Sequence, residues 1–248
     1  MQNQILPKNK ILLGPLIIKI KEEDVKYVFM TSDIHHAHNN ILHFTQRGGY
    51  WKDIDEMGKG IVQNMNDAIS SFTGDERKKT ILFHCGDIQF GSKGGAQERY
   101  KWLQDNLKYQ TVYCVTGNHD VYNVLHQHEL ITSYNYNSND GTYCNPNWFW
   151  NHMYIVEIYR QQKCICQFTV SHFPMEEFHG QFNIHGHLHT RPKIHVKDED
   201  SYINMERWIK TGHHLDVGVD NNDYRPVSLY DIMAGNTQIQ TKYNLPSR

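Results

Sequence analysis

Five short segments carry side chains able to hold metal ions: Asp33-Ile34-His35, Gly86-Asp87, Gly117-Asn118-His119-Asp120, Ser171-His172 and Gly186-His187-Leu188-His189. Hard and borderline divalent ions accept carboxylate, imidazole and amide oxygen, and a carboxylate has two oxygens with which to bridge a pair of ions. Together the segments can ligate two ions, with Asp87 as the bridging candidate. Two ions roughly 3.5 to 4 Å apart deprotonate a bridging water, orient a phosphoryl group and neutralise charge in an in-line displacement. Such a site needs no nucleophilic side chain. The chain also has no GxxxxGK phosphate loop and no GxSxG elbow, which argues against kinase and serine-hydrolase chemistry.

Side chains this far apart in the chain meet only if the backbone brings them together. Val, Ile, Phe and Tyr content predicts strands over residues 26–32, 80–85, 111–116, 153–159, 165–170 and 182–184, most of which lead directly into one of the five segments. Strand ends would thus collect the donor groups at one edge of a sheet. Ile54, Met57, Ile61, Met65 and Ile69 recur at helical spacing behind Asp53, which is placed to cap the helix. Residues 98–107 and 121–130 read as further helices, so strands alternate with helices in the first half and strands dominate afterwards. That order predicts an α/β sandwich rather than a barrel. Residues 133–151, rich in Asn, Tyr and Trp with an Asn139-Asp140-Gly141 turn signal, read as an inserted loop.

The chain of 248 residues is expected to form one domain over 1–248. A net charge of -2 lacks the excess of Lys and Arg that a strong binder of long nucleic acid carries, leaving Arg77-Lys78-Lys79 as the one compact basic run. Seventeen histidines are spread along the chain, so most are ordinary surface or core residues. Cys85, Cys114, Cys144, Cys164 and Cys166 are odd in number, and three sit in apolar strand-like runs, which fits packing roles in a reducing, cytoplasmic setting. Cys164 and Cys166 are one residue apart, unlike common zinc and redox motifs. The first apolar run, residues 11–20, is broken by Gly14-Pro15 and Lys19, reads as an early strand, and fails as a signal peptide or membrane span.

The ordered set DxH, GD, GNHD, a lone His and GHxH closely resembles the calcineurin-like metallophosphoesterase family. The resemblance continues through Asp216-Val217-Gly218-Val219-Asp220 and Arg225-Pro226-Val227-Ser228, where the chain is similar to small bacterial and viral members. It implies a four-layer αββα sandwich of two mixed sheets flanked by helices. It also implies that Asp33, His35, Asp87 and His189 hold one ion, while Asp87, Asn118, His172 and His187 hold the other. His119 is assigned protonation of the leaving group, with Asp120 orienting its imidazole. The metals expected are two divalent ions, Mn²⁺ first, with Fe, Zn, Ni or Mg also suited to the donors.

Around that centre His38 is a candidate contact for the substrate phosphate, although the family's Gly-His is here His36-Ala37-His38. Arg191 follows the last ligand by two residues and could place a guanidinium on a phosphate oxygen; Arg47 has a weaker positional case. The aromatic cluster Tyr143, Trp148, Phe149 and Trp150 suits packing of the loop onto the body better than stacking on a base. The activity implied is hydrolysis of a phosphate ester of a small, nucleotide-like molecule by a metal-bridging hydroxide. Two rival readings are a DNA nuclease of the repair-exonuclease type, which needs a surface for extended backbones, and a non-catalytic protein-binding module on the same scaffold. The complete ligand set argues against the latter.

Overall fold

The computed structural model describes residues 16–90, 95–120, 147–189 and 213–234. In chain order the strands are β1 (Leu16–Lys21), β2 (Val28–Thr31), β3 (Ile81–His84), β4 (Thr111–Val115), β5 (Trp148–Asn151), β6 (Met153–Arg160), β7 (Lys163–Ser171), β8 (Phe182–His185), β9 (His214–Asp216) and β10 (Val227–Ser228). The helices are α1 (Ile41–Phe44), α2 (Ile54–Asp67), α3 (Gly74–Arg77), α4 (Ala96–Asn106), the single turn α5 (Asn118–Asp120) and α6 (Leu229–Met233). Among the described residues no helix is long and apolar enough to cross a membrane.

The strands form two mixed five-stranded sheets, ordered β10-β2-β3-β4-β5 and β1-β6-β7-β8-β9. In the first, β2, β3, β4 and β5 run parallel, with β10 antiparallel at the edge. In the second, β7, β8 and β9 are parallel, and β6 is antiparallel to β7. Successive side chains along a strand point to opposite faces. Val28, Met30, Phe83, Cys85 and Val115 therefore turn towards Tyr154, Val156, Ile158, Phe168, Val170 and Ile184 of the other sheet. The alternate residues Phe29, Leu82, Val112 and Trp148 turn outward, against Met57, Ile61 and Met65 of α2 and Tyr100 and Leu103 of α4. Burial on both faces explains why β2, β3 and β4 read as continuous apolar runs. This is the expected α/β arrangement of two mixed sheets with helices.

Asp53 does cap α2: its Oδ1 accepts from the Glu56 amide at 2.8 Å, and Glu56 Oε2 accepts from the Lys52 amide at 2.9 Å. Met57, Ile61 and Met65, fully buried, each contribute about 1.5–3 kcal/mol by leaving water. The six strands predicted over 26–184 appear with ends shifted by at most two residues, 26–27 closing the 3-10 turn Glu22–Tyr27 ahead of β2; the early strand expected over 11–20 appears as β1, residues 11–15 lying outside the described residues. The expected helix over 121–130 lies outside the described residues, as does most of the expected loop. The end of that loop is a correction: Trp148–Asn151 is an edge strand paired with β4. Trp148 and Trp150 are buried against Tyr100, whereas Phe149 faces the other way and stacks on Tyr113 with ring centres 5.3 Å apart. A period of two places bulky rings on both faces of a strand, which clustered aromatics and Asn had disguised as loop composition.

Because β2, β3 and β4 are parallel, their carboxyl ends share one edge, where open α/β sheets characteristically build their sites. The second sheet delivers β7, β8 and β9 to the same place. Ser32 bridges to Gly218 beyond β9, and the Val219 amide donates to the Ser32 carbonyl at 3.1 Å, joining the two sheets at that end.

A candidate metal centre at the strand ends

The turns that leave these strands are tight. Asp33, His35, Asp87, His187 and His189 all have left-handed backbone, with φ of 58°, 51°, 53°, 71° and 45°. Each such non-glycine residue costs roughly 1–2 kcal/mol, so strain is concentrated where the donor groups are. Gly117 is required for a different reason: a Cβ there would strike the Asp87 carboxylate. Asp33 N and His35 N donate to the carbonyls of Gly86 and Asp87, each at 3.0 Å, zipping the first two segments together.

Two groups of ligand atoms result, Asp33 with His35 and His189, and Asp87 with His172 and His187, the atoms of each lying within 4.8 Å of one another. In the first, Asp33 Oδ1 lies 3.9 Å from His35 Nε2 and 3.7 Å from His189 Nε2, and those two nitrogens are 3.0 Å apart. In the second, Asp87 Oδ2 is 3.5 Å from His172 Nε2, which is 2.9 Å from Asn118 Oδ1. The same Asp87 Oδ2 is 3.6 Å from His35 Nε2, so one carboxylate faces both groups. All seven residues read from the sequence as ligands are thus brought to a common centre. A third grouping, His35 with Asp87 and His119, overlaps the others.

The donor set fits cations. Asp33 Oδ1 is buried without a hydrogen-bond partner among the described residues. His172 Nδ1 donates to the Cys85 carbonyl at 2.8 Å, and His189 Nδ1 donates to Asp220 Oδ2 at 2.7 Å, so each ring turns Nε2 inward; burial lowers the His189 pKa, but Asp33 and Asp220 outweigh it and raise it, so a cation at that Nε2 takes the place of a proton. Burial, and then neighbouring imidazoles, push His35 well below its ordinary pKa. Burial takes His187 to about 4, and it brings His172 to about 4 against the opposing pull of the Cys85 carbonyl; neutral imidazole is the ligating form. Burial, then Asp120 and Asp33, raise Asp87 to about 9, the signature of an anion lacking a counter-charge. A divalent cation is the charge that would return it to its anionic state.

His119 is partly exposed beside the centre. Its amide donates to Asp87 Oδ1 at 2.8 Å, its ring nitrogen lies 3.9 Å from Asp87 Oδ2, and its side chain is 32% exposed. Burial lowers its pKa, aided by His189. His38 is packed next to it, with its ring centre 5.7 Å from that of His119 and 4.0 Å from that of Phe90. Arg191 lies outside the described residues.

Two expectations change. Asp120 was expected to orient His119, but its carboxylate accepts the main-chain amides of Asp87, Ile88 and Gly117 at 2.7, 3.1 and 3.0 Å. It clamps the turn that carries Asp87; buried, it is raised to about 7. Arg47 is fully buried and cannot reach a substrate phosphate. It donates to the carbonyls of Asp33 and Ile34 at 2.6 and 2.9 Å and grips Asp220 through Nε and a terminal nitrogen at 2.8 and 2.6 Å. Asp220 is the functional residue that sequence reasoning missed. Its only signal was its place in the Asp216–Asp220 run, with nothing to link it to His189.

A model of calcineurin-like phosphoesterases matches residues 27–233. An uncharacterized protein of Methanocaldococcus jannaschii is 24% identical over 208 residues, covering 83% of this chain and 88% of that protein. Among solved structures the chain resembles the Pseudomonas putida nuclease MPE with a TM-score of 0.32 and 14% identity, over 69% of this chain and 68% of that one.

Proposed function

This chain belongs to the calcineurin-like phosphoesterase family, and on that footing we propose that it is a phosphoester hydrolase working with two divalent metal ions. What supports the reading is Asp87, whose Oδ2 lies 3.6 Å from His35 Nε2 and 3.5 Å from His172 Nε2, as a carboxylate shared by two ions would. Asp33, His35, Asp87 and His189 would hold one ion, and Asp87, Asn118, His172 and His187 the other. Bound there, the ions supply Lewis acidity and a water activated at neutral pH. Oxygen and nitrogen donors without thiolate suit Mn²⁺.

The chain's own residues do the rest. His119, tethered through its amide to Asp87 and partly exposed, is placed to give a proton to the leaving oxygen. His38, buried between Phe90 and His35, is in this reading a candidate contact for the substrate phosphate. The substrate in this reading is a small phosphorylated molecule of nucleotide type, since a net charge of -2 offers little to a long polyanion. The four described cysteines are free, which suits a cytoplasmic location.

The test is hydrolysis of phosphomonoesters, cyclic nucleotides, dinucleotides and single-stranded DNA with Mn²⁺, alongside a chelator control. Turnover of small esters abolished by chelation is expected. Preference for DNA with steep salt dependence would replace this reading with a nuclease, and no turnover of any substrate would remove the hydrolase.

A further inference from the structure

Beside Asn118 and His172 opens a cavity of about 550 Å³ whose wall is completed by Met153, Phe173, Met175 and Thr116. That volume is within the range of small-molecule sites, about 300–1,000 Å³, and far exceeds one phosphate. Asn118 and His172 belong to the proposed metal centre, so a group filling the cavity would lie beside a phosphate held there. Phe173 is a large apolar side chain left 48% exposed. Its ring centre lies 4.8 Å from that of His172 and 4.5 Å from that of His187, so a bare aromatic face adjoins the reacting position.

This wall is built rather than incidental. Buried Asn183 holds both ends of the segment: its Nδ2 donates to Ser171 Oγ at 2.8 Å, and its Oδ1 accepts from the Met175 amide at 3.0 Å. Ser171 Oγ in turn donates to the Phe173 carbonyl at 2.7 Å. On the opposite side Thr116 N donates to the Asn151 carbonyl at 3.0 Å, tying the end of β4 to β5. Among the described residues that line the cavity there is no lysine or arginine, and apart from His172 of the centre the one ionisable side chain is His152. Aromatic and thioether side chains suit a flat, polarisable ring.

We infer that this cavity is the subsite for the planar ring of the substrate's ester substituent, a nucleobase, with Phe173 as its stacking face; this rests on the phosphohydrolase reading. Nucleosides esterified through a single phosphate are then the preferred class, and nucleoside polyphosphates directed into the cavity are disfavoured.

Calorimetry of the Mn²⁺-loaded protein with thymidine 5′-monophosphate and with inorganic phosphate tests it, the monophosphate being expected to bind at least about tenfold more tightly. In Phe173→Ala that advantage shrinks to about twofold while phosphate affinity is retained; Met175→Ala shows a smaller loss. Equal affinities in the wild type, or an advantage intact in both variants, would overturn the subsite. Tight monophosphate binding lost in Phe173→Ala, in a protein that hydrolyses nothing, would uphold the subsite and sink the hydrolase. Failure to bind either ligand would remove both. Phe173 is half exposed, so its replacement leaves the core intact, and a melting curve unchanged from wild type verifies this.

Discussion

His189 Nδ1 donates to Asp220 Oδ2 at 2.7 Å, and the same oxygen accepts from the fully buried guanidinium of Arg47 at 2.6 Å. Arg47 also binds the Asp33 carbonyl, so one cation fixes two proposed ligands of the same ion. Groups that hold a ligating histidine in this way typically govern metal affinity by 10–100-fold.

Asp220→Asn should therefore weaken one of two Mn²⁺ binding steps by roughly 10–100-fold and leave the other unchanged, as resolved by calorimetry of the metal-free protein. Equal weakening of both steps would mean that Asp220 acts on the fold at large and not on His189.

Burial would raise the Asp220 carboxyl, but hydrogen bonds from Arg47 and His189 outweigh it and hold the group well below the usual carboxylate range. A depressed carboxylate contributes stability above its unfolded value of about 3.9, and that stability is lost as pH falls through the folded value. Metal-free wild type should accordingly lose denaturant stability more steeply below about pH 4 than Asp220→Asn does. Parallel curves from pH 7 to 2 would show that the carboxylate adds nothing.

Asp87 has the opposite sign. Its folded pKa of about 9 exceeds the unfolded value, so it detracts from the stability of the metal-free protein as pH rises between the two. Asp87→Asn, uncharged and of the same shape, should raise the metal-free melting temperature at pH 8 by roughly 2–4 °C per kcal/mol recovered. With saturating Mn²⁺ the order should reverse, because the wild type alone keeps the shared ligand. A metal-free variant that melts no higher than wild type would refute the uncompensated charge.

His119→Ala should lower turnover of small phosphoesters by about 10² to 10⁴-fold while the protein still binds two equivalents of Mn²⁺. Near-normal turnover removes His119 from catalysis. Loss of metal instead assigns it to the grouping with His35 and Asp87.

Trp148→Ala should cost about 3–5 kcal/mol in chemical denaturation, since the ring is 1% exposed and packs edge-on to Tyr100 at 5.2 Å. Affinity for thymidine 5′-monophosphate should not change below the melting transition. Weakened nucleotide binding in a protein of normal stability would reinstate the stacking role.

The seven donor residues could be read from the chain because five segments in a fixed order, each closing a strand-like run, together resemble a family pattern that none of them carries alone. A strand end and the tight turn after it are dictated by neighbours a few residues away. The cap of α2 and its apolar spacing were readable for the same reason. Trp148–Asn151 was misread because composition reports what residues are and not which strand lies beside them; pairing with β4 turned a loop-like stretch into sheet. Asp220 and Arg47 were beyond the reach of sequence reading, since they sit 173 positions apart and meet only where β9 and β2 join at Ser32 and Gly218. The chain alone allots Asp120 to the His119 imidazole and Arg47 to substrate, and burial turned both inward, Asp120 to main-chain amides and Arg47 to carbonyls and Asp220, because a polar group shut away from water must find its partners within the fold.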